Sequence, residues 1–258
     1  MLTIIQAVIL GLIEGFTEFL PISSTGHLIL ASKLLQIEST DFVKSFEIFI
    51  QLGAILAVVV LYLRRILSSR TILLKIAAGF VPTGILGFFL YSTVKTYLLG
   101  NSLVTLWSLL IGGAWLIIFE RWNKTSLSVG TDSEVITYRA AVLIGIFQSL
   151  AFIPGVSRAA ASIIGSRLLG YSRETAVEFS FLLAIPTMLA ATGYDILKGG
   201  VILNQEKFIV LGLGFITAFI VALITIKWLI VFIKHHSFTG FGIYRIVLAA
   251  ALFFLWYF

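Results

Sequence analysis

Residues 7–27 read AVILGLIEGFTEFLPISSTGH. An apolar helical run meets Pro21, which has no N–H to donate and whose ring clashes with the helical backbone before it, so the helix must stop. Ser23, Ser24 and Thr25 then offer capping hydroxyls for a second helix reaching to about residue 36. That second run holds about 14 residues, too few to cross a ~30 Å hydrocarbon layer, so the pair predicts a re-entrant hairpin rather than two spans. Residues 134–169 repeat the pattern, with an apolar run stopping at Pro154 and a short helix restarting at Ser157. Irregular backbone at membrane depth survives only where protein buries it or it lines a polar cavity. Both breaks are therefore candidate site elements.

The rest of the chain agrees with a membrane setting. Of 258 residues, 59% are hydrophobic and 12% charged, against about 25% charged in soluble domains. At about 20 residues per span plus a loop, the length allows roughly eight crossings and no sizeable extramembrane domain. No cysteine is present, which excludes disulfides, thiolate nucleophiles and Cys-ligated metals. The amino terminus lacks a basic n-region and a small-residue cleavage site, so it is expected to be the first helix of the fold. Ten helical segments are predicted at roughly 2–20, 23–36, 42–63, 70–94, 102–120, 134–152, 157–169, 173–197, 207–233 and 241–258.

The two halves resemble one another. Ala7 to Glu14 aligns with Ala141 to Gln148, Pro21-Ile22-Ser23-Ser24 with Pro154-Gly155-Val156-Ser157, and Glu47 with Glu178. Residues 1–258 are read as one integral domain, all-α and polytopic, with a first repeat at 1–120 and a second at 134–258. Each half would be a re-entrant hairpin plus three spans, and the odd count inverts the second half relative to the first. The basic residues give an orientation. Twelve of the eighteen, among them Arg64, Arg65, Arg121, Lys124, Arg173, Lys234 and Arg245, are expected on one side; Lys33, Lys44, Lys95, Lys198 and Lys207 fall on the other. By the positive-inside rule the richer side is cytoplasmic, and the first hairpin opens outward. The net charge of +6 thus records topology rather than nucleic-acid binding. Arg158 is left at the second break.

Three groups can carry chemistry. Glu14 and Glu18, four apart, share a helix face just before the first break. Two carboxylates there are costly unless they share a proton or a cation, and Mg²⁺ or Ca²⁺ is the natural partner. After the break, the new helix start presents free backbone N–H groups suited to an anion. Ser24 and His27, three apart, make a hydroxyl with a nearby base. At the second break Ser157 starts a helix beside Arg158, whose guanidinium matches phosphate oxygens. The plain alternatives are ordinary N-caps at Ser23 and Ser24, an interfacial His27, and Arg158 as the ion-pair partner of Glu47 or Glu178. Asp195 and Gln51 are expected to be packing or interfacial groups. Taken together, the constellation points to phosphate handling.

The run Glu14–His27, with Pro154-Gly155-Val156-Ser157-Arg158 and Glu178–Pro186, resembles the undecaprenyl-diphosphate phosphatases of the bacitracin-resistance type, and the similarity reaches Tyr244-Arg245. The resemblance implies a metal-dependent enzyme of the bacterial plasma membrane. It would hydrolyse undecaprenyl diphosphate to the monophosphate, recycling the carrier for peptidoglycan from a site open to the periplasm. It places the acid pair on Glu14 and Glu18, with Mg²⁺ or Ca²⁺ as cofactor. It places the catalytic hydroxyl and histidine on Ser24 and His27 and the phosphate-binding arginine on Arg158, with Ser23, Thr25 and Ser157 in support. The implied partners are the polyprenyl diphosphate and membrane lipids; a homodimer is left open. One departure stands out: the usual second motif continues Ser-Gly after the arginine, and here Ala159 and Ala160 follow, an expected loss of one phosphate donor. The rival from another class is a lipid-phosphate transporter or flippase with the same midplane anion site and no nucleophile.

Overall fold

The structure is a computed structural model that describes residues 2–98, 101–122, 136–199 and 205–257. Its helices are α1 (Ile4–Thr17), α2 (Ser24–Leu34), α3 (Asp41–Ser68), α4 (Arg70–Thr93), α5 (Ser102–Trp122), α6 (Tyr138–Gln148), α7 (Arg158–Leu168), α8 (Arg173–Gly199), α9 (Gln205–His235) and α10 (Thr239–Tyr257). All ten expected segments are present, and the chain is an all-α polytopic membrane protein. Five helices, α3, α4, α5, α8 and α9, are long and apolar enough to cross a membrane. The sixth expected span, α10, is apolar, but its described side chains cover only 239–254. The predicted boundary between halves, and Lys124 with it, lies outside the described residues.

The short helices end where local chemistry requires. Proline clashes with the carbonyl four residues back, and α1 stops at Thr17, four before Pro21. Thr3 opens it with a capping box, its hydroxyl accepting from Gln6 N–H while Gln6 returns the bond. In the second half α6 gives way after Gln148 to a 3₁₀ turn over Ser149–Phe152, ahead of Pro154. At 1.5 Å per residue, the 11 to 14 residues of α1, α2, α6 and α7 span about 17–21 Å and do not cross a bilayer.

Small residues set how these hairpins pack. α1 lies on α9 and α6 lies on α4. A Cβ at Gly11 would stand 2.6 Å from the carbonyl oxygen of Gly214, and one at Gly145 would overlap the carbonyl of Gly79. Gly11 and Gly145 are aligned positions in the two halves, and both bring backbone against backbone, as small residues do in membranes. Gly145→Val is therefore expected to destabilise the chain by at least about 1–3 kcal/mol, read as thermal unfolding in detergent. Gly212→Ala, where a Cβ meets nothing within 4 Å, should leave the midpoint unchanged.

Between α6, α4 and α8 lies a buried polar knot. Gln148, aligned with Glu14, donates from Nε2 to Thr83 (3.1 Å) and Thr187 (2.9 Å), each of which follows a proline inside its helix, Pro82 and Pro186. Aromatic and aliphatic side chains such as Phe88, Phe89, Trp107 and Ile111 face outward, as lipid contact requires.

One basic residue departs from its expected place. Arg245, read above as part of the cytoplasmic set, is fully buried. Gly112 and Gly113 of α5 leave the room its side chain fills.

Candidate active site

The two breaks meet. Ser23 and Ser157, the N-caps of α2 and α7, share an unusual backbone, φ 72° and ψ 95° against φ 75° and ψ 118°. Each accepts a hydrogen bond from the third residue of its helix, Gly26 N–H at 3.3 Å and Ala160 N–H at 3.2 Å. A positive φ in a non-glycine residue costs about 1–3 kcal/mol and persists only where the surroundings enforce it. Here it occurs at both helix starts.

Glu18 is the hub. Its Oε2 accepts from Ser24 Oγ at 2.6 Å, within the range of a strong bond to a carboxylate. Its Oε1 accepts from Nε and Nη2 of Arg158, both at 3.3 Å. Arg158 completes its contacts through Nη1, which donates to the Ser180 carbonyl at 2.9 Å, and over the ring of Phe19, 5.9 Å from its centroid. A side chain from the second half is thus clamped on a carboxylate of the first. The partner of Arg158 is neither Glu47 nor Glu178: Glu47 accepts from Ser32 at 3.2 Å, and Glu178 pairs with Arg65. Asp195 accepts from Ser45 at 3.2 Å and stays outside the site.

Glu14 is fully buried, and neither carboxylate oxygen has a hydrogen-bond donor. Orphaned carboxylate oxygens at membrane depth fit a hard cation. Among the described residues no third carboxylate or histidine joins the pair, so a cation there would draw its other ligands from water and phosphate.

His27 does not face Ser24, contrary to the i,i+3 expectation. Its Nδ1 lies 2.7 Å from the carbonyl oxygen of Ser23 and its Nε2 lies 2.7 Å from the hydroxyl of Tyr244. The base in contact with Ser24 is Glu18. Thr25 is half-buried in the first turn of α2, and Ser157 is buried as the cap of α7.

The match to known proteins covers this same architecture. Residues 7–251 match the family described as bacitracin resistance protein BacA. The chain belongs to the BacA family. A relative from Aquifex aeolicus, 54% identical over 97% of this chain and 98% of its own, is named undecaprenyl-diphosphatase. Relatives from a Sulfurihydrogenibium species (51%, over 99% of this chain and all of its own) and from Wolinella succinogenes (48%, over 98% of each) carry the same name.

Three further residues of this BacA-family chain brace the two breaks, and none was given a place in the site from the sequence. Arg245 donates from Nη1 to Val156 (3.0 Å) and Pro21 (3.3 Å), and from Nη2 to Gly155 (2.8 Å) and Ser108 (3.0 Å), all carbonyl oxygens. It ties both breaks to α5. Tyr244, its neighbour, holds His27, and Ser180 holds Arg158 through its carbonyl while its hydroxyl accepts from Ser162 at 2.6 Å. A lone arginine inside the apolar run 239–257 was one signal for Arg245, and all three residues lie in stretches that carry the family resemblance, Glu178–Pro186 and Tyr244-Arg245. The BacA-family departure at Ala159 is also recast. Its methyl is fully buried in an apolar cluster with Phe19, Leu116 and Phe181, so in this chain position 159 packs the core.

Proposed function

We propose that the chain hydrolyses undecaprenyl diphosphate to the monophosphate and inorganic phosphate, recycling the lipid carrier for peptidoglycan synthesis and conferring bacitracin resistance. The name of its relatives supports the substrate. The observation that carries the reaction is the 2.6 Å bond from Ser24 to Glu18 beside Arg158: a hydroxyl on a base, next to a cation that matches phosphate, is the equipment of nucleophilic phosphoryl transfer. Ser24 Oγ attacks the terminal phosphorus and its proton passes to Glu18, while the bond to the polyprenyl phosphate breaks. Water then displaces Ser24 from the phosphoryl group, releasing inorganic phosphate, and the proton held by Glu18 returns to Ser24 Oγ. Arg158 and the starts of α2 and α7 neutralise the phosphoryl oxygens. His27 lies one turn further along α2, held by the Ser23 carbonyl and the Tyr244 hydroxyl.

Glu14 and Glu18 are the residues that would hold Mg²⁺ or Ca²⁺, with Thr25, Ser23 and Ser157 lining the phosphate side. A divalent cation there supplies charge neutralisation for the diphosphate. The halves form inverted repeats, supported by the matching Gly11–Gly214 and Gly79–Gly145 contacts and the matching caps. The surplus of basic residues survives the removal of Arg245 and supports a periplasmic opening in the bacterial inner membrane.

Phosphate release from a polyprenyl diphosphate by the purified chain tests the proposal. Release should stop on chelation and return with Mg²⁺ or Ca²⁺. A lipid-phosphate transporter releases none, and release indifferent to chelation would remove the cation from the scheme.

A further inference from the structure

We infer that Tyr244 is a positioning residue of the reaction and that it acts through His27. The inference rests on the hydrolase proposal above for its kinetic consequence and on hydrogen-bond geometry for everything else.

The Ser23 carbonyl oxygen, 2.7 Å from His27 Nδ1, can only accept. Nδ1 therefore carries the hydrogen. In the neutral imidazole Nε2 is then the bare nitrogen, and the group 2.7 Å from it, the hydroxyl of Tyr244, is its donor. The two rings are within 5° of parallel with centroids 5.5 Å apart, so they lie side by side, joined edge to edge by the bond. Each end of the imidazole is fixed by a different part of the fold: Nδ1 by the cap of α2, and Nε2 by α10, which reaches it across 217 residues of chain.

The hydroxyl of Tyr244 fixes the Nδ1–H tautomer of His27 and the direction of its ring. Without it, the imidazole can exchange its nitrogens or turn away from the gap, and only the Ser23 carbonyl restrains it. Tyr244 is itself 44% exposed while His27 is 8% exposed, so the tyrosine is the outer member of the pair. Partners that fix a functional histidine in this way typically change rate or affinity by about 10–100-fold when removed.

Tyr244→Phe keeps the ring and removes only the hydroxyl. The expected result is a kcat about tenfold or more below wild type with KM within about twofold. In a His27→Gln background the same change should alter the rate by less than about twofold, because a residue that acts through another loses its effect when that other is gone. The three histidines of the chain make a second readout accessible. With histidine alone ¹⁵N-labelled and the protein in nanodiscs, His27 should show a protonated Nδ1 and a bare Nε2, and Tyr244→Phe should convert this to a mixture of tautomers. A kcat within twofold of wild type in Tyr244→Phe, an equal loss in both backgrounds, or an Nε2–H tautomer in the wild type would each overturn the inference. A chain that releases no phosphate would sink the hydrolase proposal, and the tautomer spectrum would still decide whether Tyr244 sets His27.

Discussion

Glu18→Gln should lower kcat for phosphate release by about 10³-fold, within the span expected when a positioned base is lost. The amide cannot take the proton of Ser24, whose only hydrogen-bond acceptor among the described residues is Glu18 Oε2. Rapid-quench labelling should trap no phosphate on Ser24 in this variant, and Ser24→Ala added to it should cost little more, since groups that act as a unit lose their contributions together. The variant also strips Arg158 of its counter-charge. Breaking one side of a buried ion pair costs about 3–5 kcal/mol, so the thermal midpoint in detergent should fall. Glu18→Gln combined with Arg158→Met should recover stability without recovering turnover, because the unpaired cation has gone and the base has not returned. Turnover within tenfold of wild type in Glu18→Gln would remove it from the role of base.

Arg245→Met should be the most damaging single change to the fold, although Arg245 lies outside the phosphate-facing set. It would leave the carbonyls of Pro21, Ser108, Gly155 and Val156 without their donor. Each buried group left unpaired costs about 1–3 kcal/mol, and a native chain has only about 5–15 kcal/mol of stability in total. The expected outcome is a chain that fails to accumulate folded, or one whose midpoint drops sharply and whose turnover falls below about a hundredth of wild type. Arg245→Lys should be intermediate, since an ammonium has three donors on one atom and cannot fork between two breaks. Gly112→Ala should imitate the loss with the arginine still present, because the added methyl occupies the position of its guanidinium. A wild-type midpoint and rate in Arg245→Met would show that the breaks hold their shape by other means.

What could be read in the sequence follows from the range of the forces involved. Proline and capping hydroxyls act within one turn, so the ends of α1 and α6 and the starts of α2 and α7 were legible from Pro21, Pro154, Ser23 and Ser157. The acid pair and Arg158 were legible because ionised groups at membrane depth are expensive and need company. The partner of Ser24 was not. Ser24 and His27 do share α2, but the imidazole turns to the Ser23 carbonyl and to Tyr244 of a helix distant in sequence, while the segment before the break folds back to lay Glu18 over Ser24. Arg245 was misplaced for a related reason. A charge near the end of an apolar run resembles an interfacial anchor until the neighbouring helix is known, and Gly112 and Gly113, which admit it, lie more than a hundred residues away.

The pairing of Glu14 with Gln148 has a consequence for how such a chain arises. If the halves descend from one duplicated ancestor, the first copy now carries the carboxylates, and the second carries in place of Glu14 an amide satisfied by Thr83 and Thr187 while supplying the arginine. Neither copy holds both signs. A symmetric pair of identical halves would present either two acid pairs or two arginines to the same gap, so the division of labour that makes one productive site also binds the two copies into a single gene.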